Sequence, residues 1–246
     1  MADKPKGLSI SVVICAFNEE EWITRTLISL SQQKRPANEI VVVNNGSTDG
    51  TEATVQRFVA EHPDQPIVIV REAKKGLHHA REAGWRAAHG DIVVNTDADI
   101  IFPANWLQII EDTFAQPDVD AITGIVRYYD ALPIINWVTW ITDQLYQPEG
   151  IGRLITKRYL LNGGNSAYRR RVLEAVDGYL GKPQDLLEDL YMSKQLEEGG
   201  YKIKFVRNLK VMHTFRRFNK DGWRGYLKYI FFYSAENVYP DHLADV

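Results

Sequence analysis

An α/β domain built round a mainly parallel sheet is what this chain of 246 residues predicts. Three observations carry that expectation. Strand-like and helix-like segments alternate with short links through the first half, the pattern of parallel strands joined by right-handed crossovers. The strand-like runs are nearly continuous in apolar character, as strands buried on both faces are. The length lies between one and two domains at roughly 150 residues each, and α/β folds run to about 250 as one unit.

Each element has its own justification. Residues 9–17 (SISVVICAF) read as a buried, β-branched strand. Residues 20–33 place Trp22, Ile23, Leu27 and Leu30 at helical spacing, and Pro36 closes the segment. Residues 39–43 form a second strand, and 45–50 (NGSTDG) are turn chemistry, with Thr48 or Asp49 as N-cap of a helix to about residue 60. A third strand spans 66–70, a third helix 77–88 and a fourth strand 91–95, which ends at Thr96-Asp97-Ala98-Asp99. Pro103 suits the first turn of a helix through residue 114. Beyond about residue 120 the alternation stops. There, 119–128 is strand-like, 132–145 apolar and aromatic, 159–168 interrupted by Gly163-Gly164, 186–198 helical with a Gly199-Gly200 C-cap, and 201–206 a strand. No Pro/Gly/Ser-rich linker divides the halves. A single domain over 1–246 is therefore expected, with a nucleotide-binding half at about 8–118, an acceptor half at about 119–214 and an amphipathic extension at about 215–246.

Composition narrows the function classes. Apolar residues make up 45% of the chain, enough for a substantial core, and intrinsic disorder is excluded for most of it. The 29 Lys+Arg against 32 Asp+Glu give a net charge of -3, without the basic excess of a duplex-DNA binder. One cysteine, Cys15, excludes an internal disulfide and a thiolate zinc site, and its place on the first strand reads as an inert core thiol. No apolar core of a signal peptide follows Lys4 and Lys6, and no run of 18 apolar residues spans a bilayer. The expected location is cytoplasmic, at the inner face of the cell membrane if there is membrane contact.

Chemistry is expected at the strand ends, because ligands of such sheets bind beyond the carboxyl ends of the strands. Asp97 and Asp99, two residues apart after a buried strand, can converge on one hard divalent cation through oxygen ligands. The plainer reading is an acidic turn that caps the next helix. Glu188-Asp189 lies near a helix start, where the macrodipole favours acids without any function. Asp189, between Leu187 and Leu190, is nonetheless a candidate general base.

Taken together, the motifs resemble the family-2 glycosyltransferases. These motifs are Ser11-Val-Val-Ile-Cys-Ala-Phe-Asn-Glu-Glu20, Val41-Val-Val-Asn-Asn-Gly-Ser-Thr-Asp-Gly50, Lys75-Gly76 with Ala80-Arg81, Asp97-Ala-Asp99, Asn162-Gly-Gly-Asn165 and Glu188-Asp189. The resemblance covers roughly residues 9–213. It implies a GT-A-type fold and an inverting, metal-dependent transfer of sugar from a nucleotide-diphospho-sugar to an acceptor hydroxyl, in cell-surface glycan or glycolipid synthesis. By that resemblance Ala16, Phe17, Asn18 and Glu19 line the nucleotide, chiefly through backbone groups. Asn45 stands where many relatives carry an Asp that reads the base. Asp97 and Ala98 face the ribose side, Lys75 and Arg81 meet phosphate or base, and Asp99 holds Mn2+ or Mg2+ with His213 as a further ligand. Asp189 is then the base, and Glu188 binds acceptor or donor sugar. UDP is the first expectation for the donor nucleotide, but an amide at Asn45 both donates and accepts, which leaves GDP and dTDP open.

The sequence 215–233 interleaves Arg216, Arg217, Lys220, Arg224 and Lys228 with aromatics at helical spacing. It reads as a helix packed on the domain or a second copy, giving a homodimer, or as a peripheral contact with an anionic membrane near a lipid-linked acceptor. Two alternatives keep the nucleotide-binding half. A sugar nucleotidyltransferase would carry a Gly-rich basic loop where Phe17-Asn-Glu-Glu-Glu21 stands, and a non-catalytic binding module would not need Asp97, Asp99 and Asp189 together.

Overall fold

The computed structural model describes residues 7–146, 161–182 and 187–216; of residues 142–146 it describes the backbone alone. One eight-stranded sheet runs through it in the order β3-β2-β1-β4-β7-β6-β8-β5, where β5 is the two-residue strand Ile100–Ile101. Strands β1 (Ile10–Ala16), β2 (Glu39–Asn44), β3 (Ile67–Arg71) and β4 (Ile92–Asp97) are mutually parallel. They are linked by helices α1 (Ile23–Ser31), α2 (Thr51–Glu61) and α3 (Leu77–Ala87). Beyond β4 the directions mix. β7 (Ser166–Arg169) runs antiparallel to β4 and β6 (Ala121–Tyr128), and β8 (Ile203–His213) runs parallel to β6.

Period-two side-chain alternation distributes one strand over two cores. Ile10, Val12 and Ile14 of β1 join Ile40, Val42, Ile92 and Val94 under α1 and α4 (Trp106–Phe114). Val13 and Cys15 join Val41, Val43 and Val93 on the opposite face, under Ala80 and Trp85 of α3. All seven β1 residues are buried, which explains the unbroken apolar run. Burial also pushes the Cys15 thiol up to about 12, the state of an inert core thiol.

Several expected boundaries move. The first helix starts at Ile23 after a turn, so Trp22 sits at its cap outside the core. Pro103 lies in a turn before α4, its carbonyl accepting from the Trp106 N–H at 3.0 Å, and Asn105 holds the N-cap position. Gly50 occupies the N-cap of α2, while the Asp49 carboxylate accepts from the Thr51 N–H at 3.0 Å. The last strand is longer than 201–206 because β6 pairs along it, with one register shift, as far as His213. The apolar stretch after residue 132 is α5 (Pro133–Tyr146). Gly163–Asn165 is a single 3-10 turn, followed by β7, then α6 (Arg170–Ala175) and α7 (Glu188–Glu198). The expected amphipathic helix at 215–233 lies outside the described residues except for Phe215 and Arg216.

Candidate active site

The carboxyl ends of β1, β2 and β4 lie side by side, with Cys15 paired in register to both Val43 and Asp97. Backbone groups there already have partners. The Asn18 N–H donates to Ser47 Oγ (3.1 Å), the Glu19 N–H to Thr51 Oγ1 (2.7 Å), and the Ala16 carbonyl accepts from the Asn45 N–H (2.9 Å). Asn18 adopts the left-handed conformation (φ 55°), which Asn tolerates better than most residues, and its Oδ1 accepts from the Thr48 N–H. These bonds lock the β1–α1 turn onto the β2–α2 turn.

Asn45 is buried, and its side-chain amide spans the loop before α3. Both Nδ2 protons go to carbonyls, of Glu72 (3.1 Å) and Lys74 (2.7 Å), and Oδ1 accepts from the Gly76 N–H (3.0 Å). The amide thus has both donors engaged and keeps one acceptor lone pair on Oδ1. Lys75, exposed in that loop, sits over the Phe17 ring at 5.3 Å.

Asp99 meets His213 because of a two-residue strand that the sequence did not reveal. β5 (Ile100–Ile101) pairs antiparallel with β8, Ile100 opposite His213. The register leaves Asp99 Oδ1 3.1 Å from His213 Nε2, with Asp97 Oδ2 at 3.7 Å. The Ala98 carbonyl, between the two acids, accepts from Thr26 Oγ1 at 2.7 Å and pins the turn to α1. His213 Nδ1 lies 2.7 Å from the Thr214 carbonyl, which directs Nε2 toward the acids. The Asp130 carboxylate holds the following residues, accepting from Thr214 Oγ1 (2.6 Å) and the Phe215 N–H (2.5 Å). Arg216 then turns back. Its Nε lies 3.2 Å from Asp99 Oδ2, Nη2 bonds Glu19 Oε1, and the guanidinium covers the Trp22 ring.

Three carboxylates, Glu19, Asp97 and Asp99, are therefore balanced here by imidazolium and guanidinium charge. Burial pulls His213 down, but Asp99 and then Asp97 outweigh it and hold the ring up at about 9. Burial and the Asp99 charge push Glu19 up to about 7 against the opposing Arg216. Glu19 Oε2 is buried without a hydrogen-bond partner among the described residues. Once His213 gives up its proton, as metal binding requires, this carboxylate–imidazole donor set fits a divalent cation, and the imidazole suits Mn2+ better than Mg2+. Among the described residues no group of three or more His, Cys, Asp and Glu side chains is arranged to enclose a metal. A pair of protein ligands is what a cation completed by phosphate oxygens needs.

A second acidic cluster lies across Asp97, on Arg81. The Arg81 side chain is 2% exposed, its Nη1 donates to the Gly163 carbonyl (2.7 Å), and Nη2 lies 3.5 Å from Asp97 and 3.9 Å from Glu188. Gly163 also gives its N–H to Asp189 Oδ2 at 3.0 Å. A Cβ at Gly163 would fall 2.2 Å from Asp189 Oδ1, and one at Gly164 2.8 Å from Asp97 Oδ2, so the glycine pair permits the close approach. Asn165, fully buried, ties the turn to β6, β8 and Trp106. Burial, followed by the Glu188 charge, raises Asp189 well above the ordinary carboxylate range, with Arg81 and the Gly163 N–H opposing.

The expected site residues thus gather at one edge of the sheet, with changed emphasis. Arg81 is enclosed by acids and does not present itself to phosphate, because Asp97, Glu188, Asp189 and the Gly163 carbonyl use its charge. Glu19 contributes its carboxylate, and its N–H is turned to Thr51. Arg216, Trp22, Gly163 and Asp130 were missed as site residues. The Gly163-Gly164 pair was the one visible signal among them.

The chain belongs to glycosyl transferase family 2, whose sequence profile matches residues 11–177. Glycosyltransferase AglE of Haloferax volcanii is 26% identical over 215 residues, which are 86% of this chain and 68% of that protein. The mannosyltransferase PcManGT of Pyrobaculum calidifontis, solved with GDP-Man and Mn2+, superposes with a TM-score of 0.70 at 24% identity, covering 92% of this chain and 65% of its own. TarS 1-349 of S. aureus, solved with UDP-GlcNAc, gives a TM-score of 0.65 at 20% identity, covering 84% and 58%. The chain therefore spans about three-fifths to two-thirds of the length of these proteins. The fold is GT-A and the protein is a glycosyltransferase.

Proposed function

We propose that the protein transfers a sugar from a nucleotide-diphospho-sugar to an acceptor hydroxyl with inversion, in a divalent-cation-dependent single displacement. The carrying observation is the two acidic clusters that share Asp97, one able to take a cation and the other a base. Asp99 and His213 would hold Mn2+ or Mg2+, whose Lewis acidity offsets the charge that develops on the leaving diphosphate. Asp97 faces both clusters and receives the ribose side of the donor. Ala16, Phe17 and Ala98 form the floor beneath the nucleotide, with Asn18 and Glu19 at its edge, and exposed Lys75 meets its phosphate or base. Asn45 shapes the loop against which the base rests. Asp189 Oδ1 accepts the proton of the attacking hydroxyl while Oδ2 stays bonded to the Gly163 N–H. Glu188, close to Arg81, orients a sugar hydroxyl. No covalent enzyme intermediate is needed, so one base suffices, unlike the carboxylate pair of retaining glycosidases.

PcManGT with GDP-Man and TarS with UDP-GlcNAc support a nucleotide-sugar donor here. UDP is the first reading for the base, with GDP and dTDP as the other arms of its test. The acceptor is read as a glycan or lipid-linked hydroxyl at the cytoplasmic face of a membrane. A thermal-shift panel of UDP, GDP and dTDP, each with Mn2+, identifies the nucleotide. Sugar-nucleotide turnover with the matching donor follows, the product's anomeric configuration being read by NMR. Retention of configuration, or no nucleotide that raises the unfolding temperature, contradicts the reading.

A further inference from the structure

Arg216 has a fixed backbone and a side chain that can move. Its N–H donates to Thr214 Oγ1 at 3.3 Å, that hydroxyl is itself bonded to Asp130, and the neighbouring Phe215 is buried against Ile135. Among the described residues the guanidinium has two hydrogen-bond partners, both carboxylates. Nε lies 3.2 Å from Asp99 Oδ2, and Nη2 bonds Glu19 Oε1. The Arg216 side chain is 34% exposed against 7% for that of Asp99, so the guanidinium can leave toward solvent while the carboxylate stays where the β4–β5 turn holds it. The two oxygens of Asp99 are thereby divided, Oδ1 facing His213 Nε2 at 3.1 Å and Oδ2 taken by Arg216.

A divalent cation on Asp99 and His213 would share its carboxylate with a guanidinium one oxygen away, and like charges that close in a largely buried site repel strongly. Arg216 and the cation are therefore competitors for Asp99. A nucleoside diphosphate changes that balance, because its phosphate oxygens offer the planar guanidinium a bidentate acceptor of opposite charge. Glu19, bonded to Nη2, keeps the guanidinium beside the site while Nε moves away from Asp99. We infer that Arg216 guards Asp99 against a lone cation, releases it when a nucleoside diphosphate arrives, and then binds that diphosphate. Cation and donor thus enter as a pair. Each tightens the other by the same factor, and Arg216 supplies part of that factor. The inference rests on the transfer reading above, which brings the cation to Asp99 and the diphosphate beside it.

The test compares the full unaltered chain with Arg216→Gln. Mn2+ binding without nucleotide is read by electron paramagnetic resonance of the free ion. Nucleotide binding at saturating Mn2+ is read by calorimetry, with whichever of UDP, GDP and dTDP the metal tightens. Arg216→Gln should bind Mn2+ alone about tenfold or more tightly, because the competing charge is gone, and should bind the nucleotide with Mn2+ about tenfold more weakly. Arg216→Lys keeps the charge and loses the fork, so both of its affinities should fall between those of the other two proteins. A gain in Mn2+ affinity is a readout that damage to the fold does not produce. Mn2+ binding by Arg216→Gln that equals or falls below that of the unaltered chain overturns the competition. Tighter Mn2+ binding with undiminished nucleotide affinity overturns the transfer of Arg216 to the diphosphate. Either result leaves the transfer reading standing, provided that Mn2+ tightens a nucleotide in the unaltered protein. No effect of Mn2+ on any of the three nucleotides there defeats that reading, and this inference with it.

Discussion

At Asp189, burial and the neighbouring Glu188 favour the protonated carboxyl, while Arg81 and the Gly163 N–H favour the anion. Only the anion can accept a proton, so a raised pKa puts the acid limb of kcat/KM above the ordinary carboxylate value of about 4. Activity should rise with pH through that limb, and Glu188→Gln should move the limb to lower pH by removing a like charge. A pH–rate profile of the two proteins checks the direction. Asp189→Asn should lower turnover by about 10²–10⁴ and leave nucleoside diphosphate affinity within about twofold. Arg81 answers a different demand. Its loss leaves Asp97, Glu188 and Asp189 without their shared cation, and breaking a buried pair from one side costs about 3–5 kcal/mol. Arg81→Met should therefore unfold at lower urea concentration at pH 8. The deficit should shrink toward pH 5, because carboxylates whose folded-state pKa is raised lose stability as pH rises through it.

At the scale of elements, the parallel half was legible because β1, β2 and β4 are buried on both faces and their apolar runs cannot be mistaken for loops. β5 was invisible, since two residues after an acidic turn carry no periodic signal, yet its pairing with β8 is what joins Asp99 to His213. β8 was read short because its burial alternates irregularly past Val206, where Arg207 and Lys210 point outward. Asp97, Asp99 and Asp189 stood out as acids next to apolar residues. The bond of Glu19 to Arg216 joins positions 197 apart and leaves no local trace. The turn after β8 depends on Asp130, a positioning residue for His213. Asp130→Ala should weaken the Mn2+-dependent part of nucleotide affinity by about 10–100-fold. Binding without metal should be unchanged, and calorimetry separates the two.

Over the whole molecule, one sheet carries a parallel half and a mixed half whose strands return the late residues to the same edge. The net charge of -3 averages over opposed regions: acids at the two clusters, bases in the sequence after Phe215. Among the described residues no helix is long and apolar enough to cross a membrane. Most of the proposed transfer rests on Asp99 and His213, which would hold a divalent cation for a nucleoside diphosphate. Titration calorimetry of UDP, GDP and dTDP, with and without Mn2+, on the unaltered chain and on Asp99→Ala tests it directly. Mn2+ should tighten one nucleotide by about tenfold or more in the unaltered protein, and this gain should vanish in the variant. The same gain in Asp99→Ala, or none in either protein, would contradict the account.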